Sequence, residues 1–180
     1  MRPIGGLLVG LILASFTAGC GIDVAETPPP SGPLPTPLGS VTPAIGGARI
    51  ALDAALRAGP GVGLDDAPEG YRPAEPPVLV YVPRAVAKVR LPNDPDRLYV
   101  VFYAFPDAAD AAEAGRQAAG FFGRGPALVQ FPSDTRFALG QVGEVLVFAA
   151  WSPSATTDRP SAEAAFEIIQ GFGQAIPIGP

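Results

Sequence analysis

The chain has 180 residues and a formal net charge of −5, with one cysteine and no histidine. Its charges are scattered and form no basic stripe, which argues against nucleic-acid binding. Without histidine it lacks the commonest zinc ligand and the usual proton carrier near neutral pH, and one cysteine excludes an intramolecular disulfide.

An uncharged segment opens the chain. After Arg2, residues 3–19 read PIGGLLVGLILASFTAG, and the most apolar part spans residues 7–13. This length fits the apolar region of a signal peptide and is shorter than the ~20 residues that a membrane span needs. Thr17, Ala18 and Gly19 place small residues directly before Cys20.

This arrangement resembles the lipobox of bacterial lipoprotein precursors, whose cysteine thiol is linked to diacylglycerol and becomes the mature N-terminus. The resemblance implies that residues 1–19 are a signal peptide and that Cys20 carries the lipid, including palmitate. It also implies anchoring in the cell membrane or the outer membrane, with the domain outside the cytoplasm. Thr17 stands where the family usually has leucine. The alternatives are an ordinary secretory signal and a transmembrane anchor with an incidental cysteine.

Residues 20–43 contain the cysteine and a proline-rich tether. Residues 26–43, ETPPPSGPLPTPLGSVTP, have no apolar periodicity, and proline favours an extended, solvated chain. At ~3.1 Å per residue the spacer reaches about 50 Å, enough to hold a domain off a lipid surface. An SH3-like partner for its PxxP pattern is the other interpretation. We expect residues 44–180 to form a single domain.

The domain pattern starts with a helix predicted over 48–58, followed by a loop over 59–77. Strands are predicted in VLVYVP (78–83), AVAKVRLP (85–92) and RLYVVFYAF (97–105), and a helix over 107–122 begins near Asp107 and Asp110. The inward face of that helix consists almost entirely of small residues. Strands are predicted again in ALVQFP, RFALGQV and EVLVFAAW, followed by a helix over 161–172.

These elements predict an α+β fold. We expect a two-layer sandwich in which an antiparallel sheet has its helices mainly on one face, ferredoxin-like or related. A duplicated β-β-(β)-α unit is one interpretation of the repeated pattern, and chance similarity is the other. Both faces of the 97–105 strand are apolar, so we expect its second face to be covered by the 48–58 helix, another subunit or a ligand.

No nucleophile, phosphate-loop or metal motif is present, so the sequence predicts no catalytic residue, metal ligand or cofactor. Asp65, Asp66 and Glu69 cluster in the long loop, and Asp94 and Asp96 flank a proline. Such acids suit glycoside hydrolysis or calcium binding in principle, but solvated turn residues are the simpler interpretation.

The candidate binding surface is a row of aromatic residues. Tyr99, Tyr103 and Trp151 have the amphipathic rings that bind partners or flat ligands, and core packing is the alternative. Lys88 and Arg90 on a neighbouring strand suit an anionic group.

The sequence therefore predicts an envelope-anchored lipoprotein whose non-catalytic domain binds a protein or small ligand. The alternatives are a carboxylate-based hydrolase acting on envelope material and a structural subunit that dimerises through the aromatic face.

Overall fold

The computed structural model describes residues 42–59, 61–67, 74–93, 98–124, 129 and 131–179. The signal-like segment, Cys20, the tether up to residue 41, Glu69, Asp94 and Asp96 lie outside them. In chain order the described elements are α1 (Pro43–Leu56), β1 (Gly63–Asp66), β2 (Arg84–Arg90), β3 (Tyr99–Ala104), α2 (Ala108–Phe122), β4 (Arg136–Val142), β5 (Val145–Trp151), α3 (Arg159–Gln170) and β6 (Gln174–Ala175).

Each helix begins at a side-chain cap. Thr42 accepts a hydrogen bond from the Ile45 amide at 3.2 Å, and Pro43 occupies the first turn. This cap starts α1 five residues earlier than the predicted residue 48, in spite of the glycines near its start. Asp107 accepts from the Ala109 and Asp110 amides, which places the start of α2 where the sequence predicted it.

The six strands of the described residues form one antiparallel sheet in the order β1-β2-β3-β5-β4-β6. The predicted α+β fold with an antiparallel sheet is confirmed. The strand predicted in VLVYVP is wrong, because Pro77–Leu79 form a 3-10 turn there and Leu79 is fully buried. The short strand β1 lies in the predicted loop, where its polar sequence GLDD gave no strand pattern.

Helices cover both faces of the sheet, as the apolar faces of the third strand led us to expect. We call the face under α1 and α3 face A and the face under α2 face B. Two of the three described helices thus share a face. The sequence predicted the helices mainly on one face, with the 48–58 helix as one candidate to cover the other. In the structure α2 lies alone on face B, and α3 joins α1 on face A.

The opposite placement of α2 and α3 bears on the proposed duplication. The hairpins β2–β3 and β4–β5 meet through the antiparallel pair β3–β5. A two-fold axis that exchanges hairpins joined in this way is perpendicular to the sheet. Such a rotation does not exchange the two faces, so the related helices would lie on the same face. Since the two helices lie on opposite faces, no such axis relates the two segments, and a ferredoxin-like arrangement is not confirmed.

Small residues bring α2 close to the sheet. A Cβ atom on Gly115 would come within 3.1 Å of Leu146 Cδ2, closer than ordinary contacts allow. The inward residues Ala111, Ala114, Ala118 and Ala119 are buried, and Phe122 closes the interface by stacking on Phe148 with ring centroids 4.2 Å apart. The predicted small-residue face contacts the sheet from Ala111 onward, but Ala108, which the sequence placed on that face, is exposed, Ala112 is half-buried, and Ala114 is buried instead.

Candidate binding site

The aromatic residues predicted as one surface lie on both faces of the sheet. Tyr99 is opposite Ala150 in the β3–β5 ladder, so Trp151, the next residue, points to the other face. Tyr103 is fully buried on face B, and Trp151 is 1% exposed on face A. The chain itself covers both rings, and they do not form an exposed surface with Tyr99.

Only part of the predicted surface is accessible. Lys88 and Tyr99 are register partners on β2 and β3, and the cross-strand row continues through Ala150 to Phe137 on face B. All four residues are half-buried. Lys88 and Tyr99 thus lie side by side on face B.

Arg90 belongs to a charged edge of the sheet. Its Nη1 lies 2.9 Å from Asp65 Oδ1, and Arg49 Nη2 lies 2.7 Å from Asp66 Oδ1. Asp65 and Asp66, the described members of the predicted acidic cluster, are therefore each paired with an arginine. The paired carboxylates that glycoside hydrolysis needs are not formed by these contacts.

Asp53 on α1 extends this charged edge. Its carboxylate accepts hydrogen bonds from the Leu64 amide at 2.8 Å and from Arg57 Nε at 2.7 Å. Partial burial opposes ionisation, but the bonds to Leu64 and Arg57 outweigh it and lower the pKa of Asp53. The side chain thereby satisfies an outward amide of the edge strand β1, which would otherwise be open to another chain.

A polar cluster on face B lies almost entirely inside the protein. Glu75 and Arg84 form an ion pair with side chains only 5% and 7% exposed. The Tyr103 hydroxyl donates to the same Glu75 oxygen at 2.9 Å. Burial, together with the Glu75 charge, raises the pKa of Tyr103 far above its ordinary value of 10. The hydroxyl therefore stays protonated and serves as a donor.

The sequence did not identify Glu75 or Arg84. Glu75 lies in a proline-rich stretch that resembles a solvated loop, and Arg84 precedes an apolar run. The one available signal was an arginine at the first position of a strand whose neighbours are apolar. The cluster attaches the segment before β2 to the sheet, and its groups are engaged with one another.

A cleft of about 320 Å³ lies beside Trp151, where β4, β5 and the start of α3 meet. Arg136, Trp151 and Glu163 line it, with Arg159 and the rings of Pro153 and Pro160. It combines charged side chains of both signs with the apolar surface of the tryptophan and proline rings. Sequence reasoning named Trp151 but not Arg136 and Arg159. These two arginines lie 23 positions apart in the chain, so their proximity was not visible in the sequence.

Trp151 is held rigidly beneath the cleft. Its indole Nε1 donates to Thr156 Oγ1 at 2.8 Å, and the Thr156 hydroxyl donates in turn to the Ser152 carbonyl at 3.0 Å. Phe166 of α3 packs against the ring, with centroids 5.7 Å apart. These contacts fix the indole plane and leave it no free hydrogen-bond donor.

Arg136 lies over this fixed ring. Its guanidinium carbon is 5.5 Å from the Trp151 ring centroid, within the range of a cation–π interaction. The Arg136 Nη1 atom is 3.0 Å from Glu163 Oε1, and both side chains are about half exposed. The arginine is therefore oriented by the ring below it while its charged end stays accessible.

Comparison with family models, curated proteins and solved structures finds no match to this chain. Within the described residues, no helix is long and apolar enough to cross a membrane. The same residues contain no group of three His, Cys, Asp or Glu side chains placed to hold a metal ion.

Proposed function

We propose that this chain is a bacterial envelope lipoprotein whose domain binds a protein or small ligand without catalysing a reaction. The observation that carries the proposal is Cys20, which directly follows three small residues and an uncharged apolar segment. Acyl chains on this thiol hold the protein to the cell membrane or the outer membrane, since each buried CH₂ contributes ~0.8 kcal/mol and two chains suffice for stable attachment.

The position of the first helix supports this organisation. Thr42 caps α1 22 positions after Cys20, and the intervening sequence is rich in proline. A tether of this composition separates the lipid from the folded body. The domain therefore works at a distance from the bilayer, facing the space outside the cytoplasm.

Binding is favoured over catalysis by the state of the carboxylates. Asp65 and Asp66, the acids on which a hydrolase would depend, each form an exposed ion pair with an arginine. The cleft beside Trp151, by contrast, presents an oriented guanidinium at its surface. No contact among the described residues favours the hydrolase or the dimeric subunit over a binding domain.

Lipidation is tested by labelling cells with radioactive palmitate and separating membrane from soluble fractions. The native chain is expected to carry label and to sediment with membranes, whereas Cys20→Ser is expected to lose both properties. Thr17→Leu supplies the usual lipobox residue and serves as the matched control, with labelling at least as strong as that of the native chain. Equal labelling of Cys20→Ser and the native chain would contradict the proposal.

A further inference from the structure

The cleft beside Trp151 brings together two arginines from separate elements, Arg136 on β4 and Arg159 in the first turn of α3. We infer that this cleft binds a ligand through a carboxylate group. The inference rests on the proposed binding function and names its ligand class. The lipid anchor plays no part in it.

The first argument is the chemistry of Arg136. A guanidinium presents a planar fork of donors that matches the two oxygens of a carboxylate. The structure already places one carboxylate on this fork, since Glu163 Oε1 lies 3.0 Å from Arg136 Nη1. Exposed ion pairs of this kind contribute only ~0.2–1 kcal/mol. An incoming carboxylate therefore displaces Glu163 at small cost.

The second argument is preorganisation. Arg136 lies over the Trp151 ring, which Thr156 and Phe166 hold in place. Less side-chain freedom is lost when a ligand binds to a group that is already oriented. The prolines at 153 and 160 add rigid apolar surface for the remainder of the ligand.

The third argument concerns the acid near Arg159. The charge of Arg159 contributes to the lowered pKa of Asp134, although hydrogen bonds from Ser154 contribute more. Both Asp134 oxygens bond to Ser154, Oδ2 to its amide at 2.7 Å and Oδ1 to its hydroxyl at 2.9 Å. Asp134 is thus directed at the turn before α3, and Glu163 is the carboxylate that competes with a ligand inside the cleft.

Trp151 is the only tryptophan of the chain, so tryptophan fluorescence reports on the surroundings of this cleft. The experiment titrates the full chain, in micelles of an uncharged detergent, with glutarate and with a pentaglutamate peptide. A pentaglutamine peptide and sodium chloride of equal ionic strength are the matched blanks. Calorimetric titration measures the same affinities independently of the fluorophore.

A saturable signal is expected with both acidic probes and none with the blanks. Tighter binding of the peptide assigns the site to a protein partner, whereas equal binding assigns it to small organic acids. Arg136→Gln and Arg159→Gln are expected to weaken binding about tenfold each. Glu163→Gln is expected to strengthen it severalfold, because it removes the internal competitor.

The control is Arg116→Gln, which breaks a comparably exposed arginine–glutamate pair, Arg116 with Glu113, on the far face of the sheet. It is expected to leave the affinity unchanged. Arg136→Lys keeps the charge but not the fork, and is expected to bind severalfold more weakly with an unchanged circular dichroism spectrum. The inference is overturned if neither probe binds, if Arg136→Gln and Arg159→Gln bind as the native chain does, or if Glu163→Gln weakens binding.

Discussion

The hydroxyl of Tyr103 donates a 2.9 Å hydrogen bond to Glu75, a residue 28 positions earlier in the chain. The same carboxylate is paired with Arg84, the register partner of Tyr103 on the neighbouring strand. Three polar groups thus satisfy one another inside an apolar interface, where any unpaired member would be costly.

This cluster predicts a large and non-additive effect of substitution. Arg84→Leu leaves the Glu75 carboxylate buried without a cation and is expected to lower the free energy of unfolding by about 3–5 kcal/mol. The double variant Glu75→Met/Arg84→Leu is expected to regain part of that loss, because no charge stays buried, although the Tyr103 hydroxyl loses its acceptor. Urea unfolding of the three proteins measures the difference. Equal losses in the single and double variants would show that the pair is not coupled in this way.

Tyr103 predicts a loss of stability in alkali. Its pKa is higher in the folded than in the unfolded chain, so its contribution to the free energy of unfolding is complete below pH 10 and falls as the pH rises further. The decline is up to about 1.4 kcal/mol per pH unit from this group. Tyr103→Phe is expected to remove that component of the slope between pH 10 and 11, as measured by urea unfolding. The control Tyr81→Phe alters an 85% exposed tyrosine and is expected to keep the native slope.

Asp53 predicts a local effect at the edge of the sheet. Asp53→Ala removes the acceptor for the Leu64 amide and is expected to cost about 1 kcal/mol. Because the pKa of Asp53 is lowered in the folded chain, its ionisation contributes to the free energy of unfolding above pH 4, and this contribution is lost as the pH falls below that. Hydrogen exchange of the Leu64 amide measures the loss directly. Unchanged protection of this amide in Asp53→Ala would contradict the contact.

Two glycines near the end of α2 predict opposite responses to alanine. A Cβ atom on Gly120 meets no atom within 4 Å, so Gly120→Ala is expected to stabilise the helix by about 0.5–1 kcal/mol. A Cβ atom on Gly123 would overlap the Gly179 carbonyl oxygen. Gly123→Ala is therefore expected to displace the C-terminal segment and to accelerate its cleavage in limited proteolysis. Identical cleavage rates in the two variants would argue against this contact.

The charged edge and the cleft were accessible to sequence reasoning only in part. Trp151 was recognised because large amphipathic rings are common in binding sites, but its neighbour Arg136 became visible only through the β4–β5 register. The expectation that Lys88 and Arg90 serve one anion changes with the structure, because Arg90 is paired with Asp65. A lone charged residue on a strand does not reveal which opposite charge a distant segment brings to it.

The amino-acid sequence by itself determined several local elements of this protein, although it missed β1 and predicted a strand where Pro77–Leu79 form a 3-10 turn. The apolar run at 97–105 became β3, Asp107 began α2, and small residues on one side of that helix marked the surface that contacts the sheet, because alternation, capping and helical periodicity act over a few residues. The tertiary structure alone decided which face α2 and α3 cover, where Tyr103 and Trp151 point, and which partner each charge finds. Those outcomes depend on the register between segments far apart in the chain, where a shift of one residue turns every side chain of a strand to the other face.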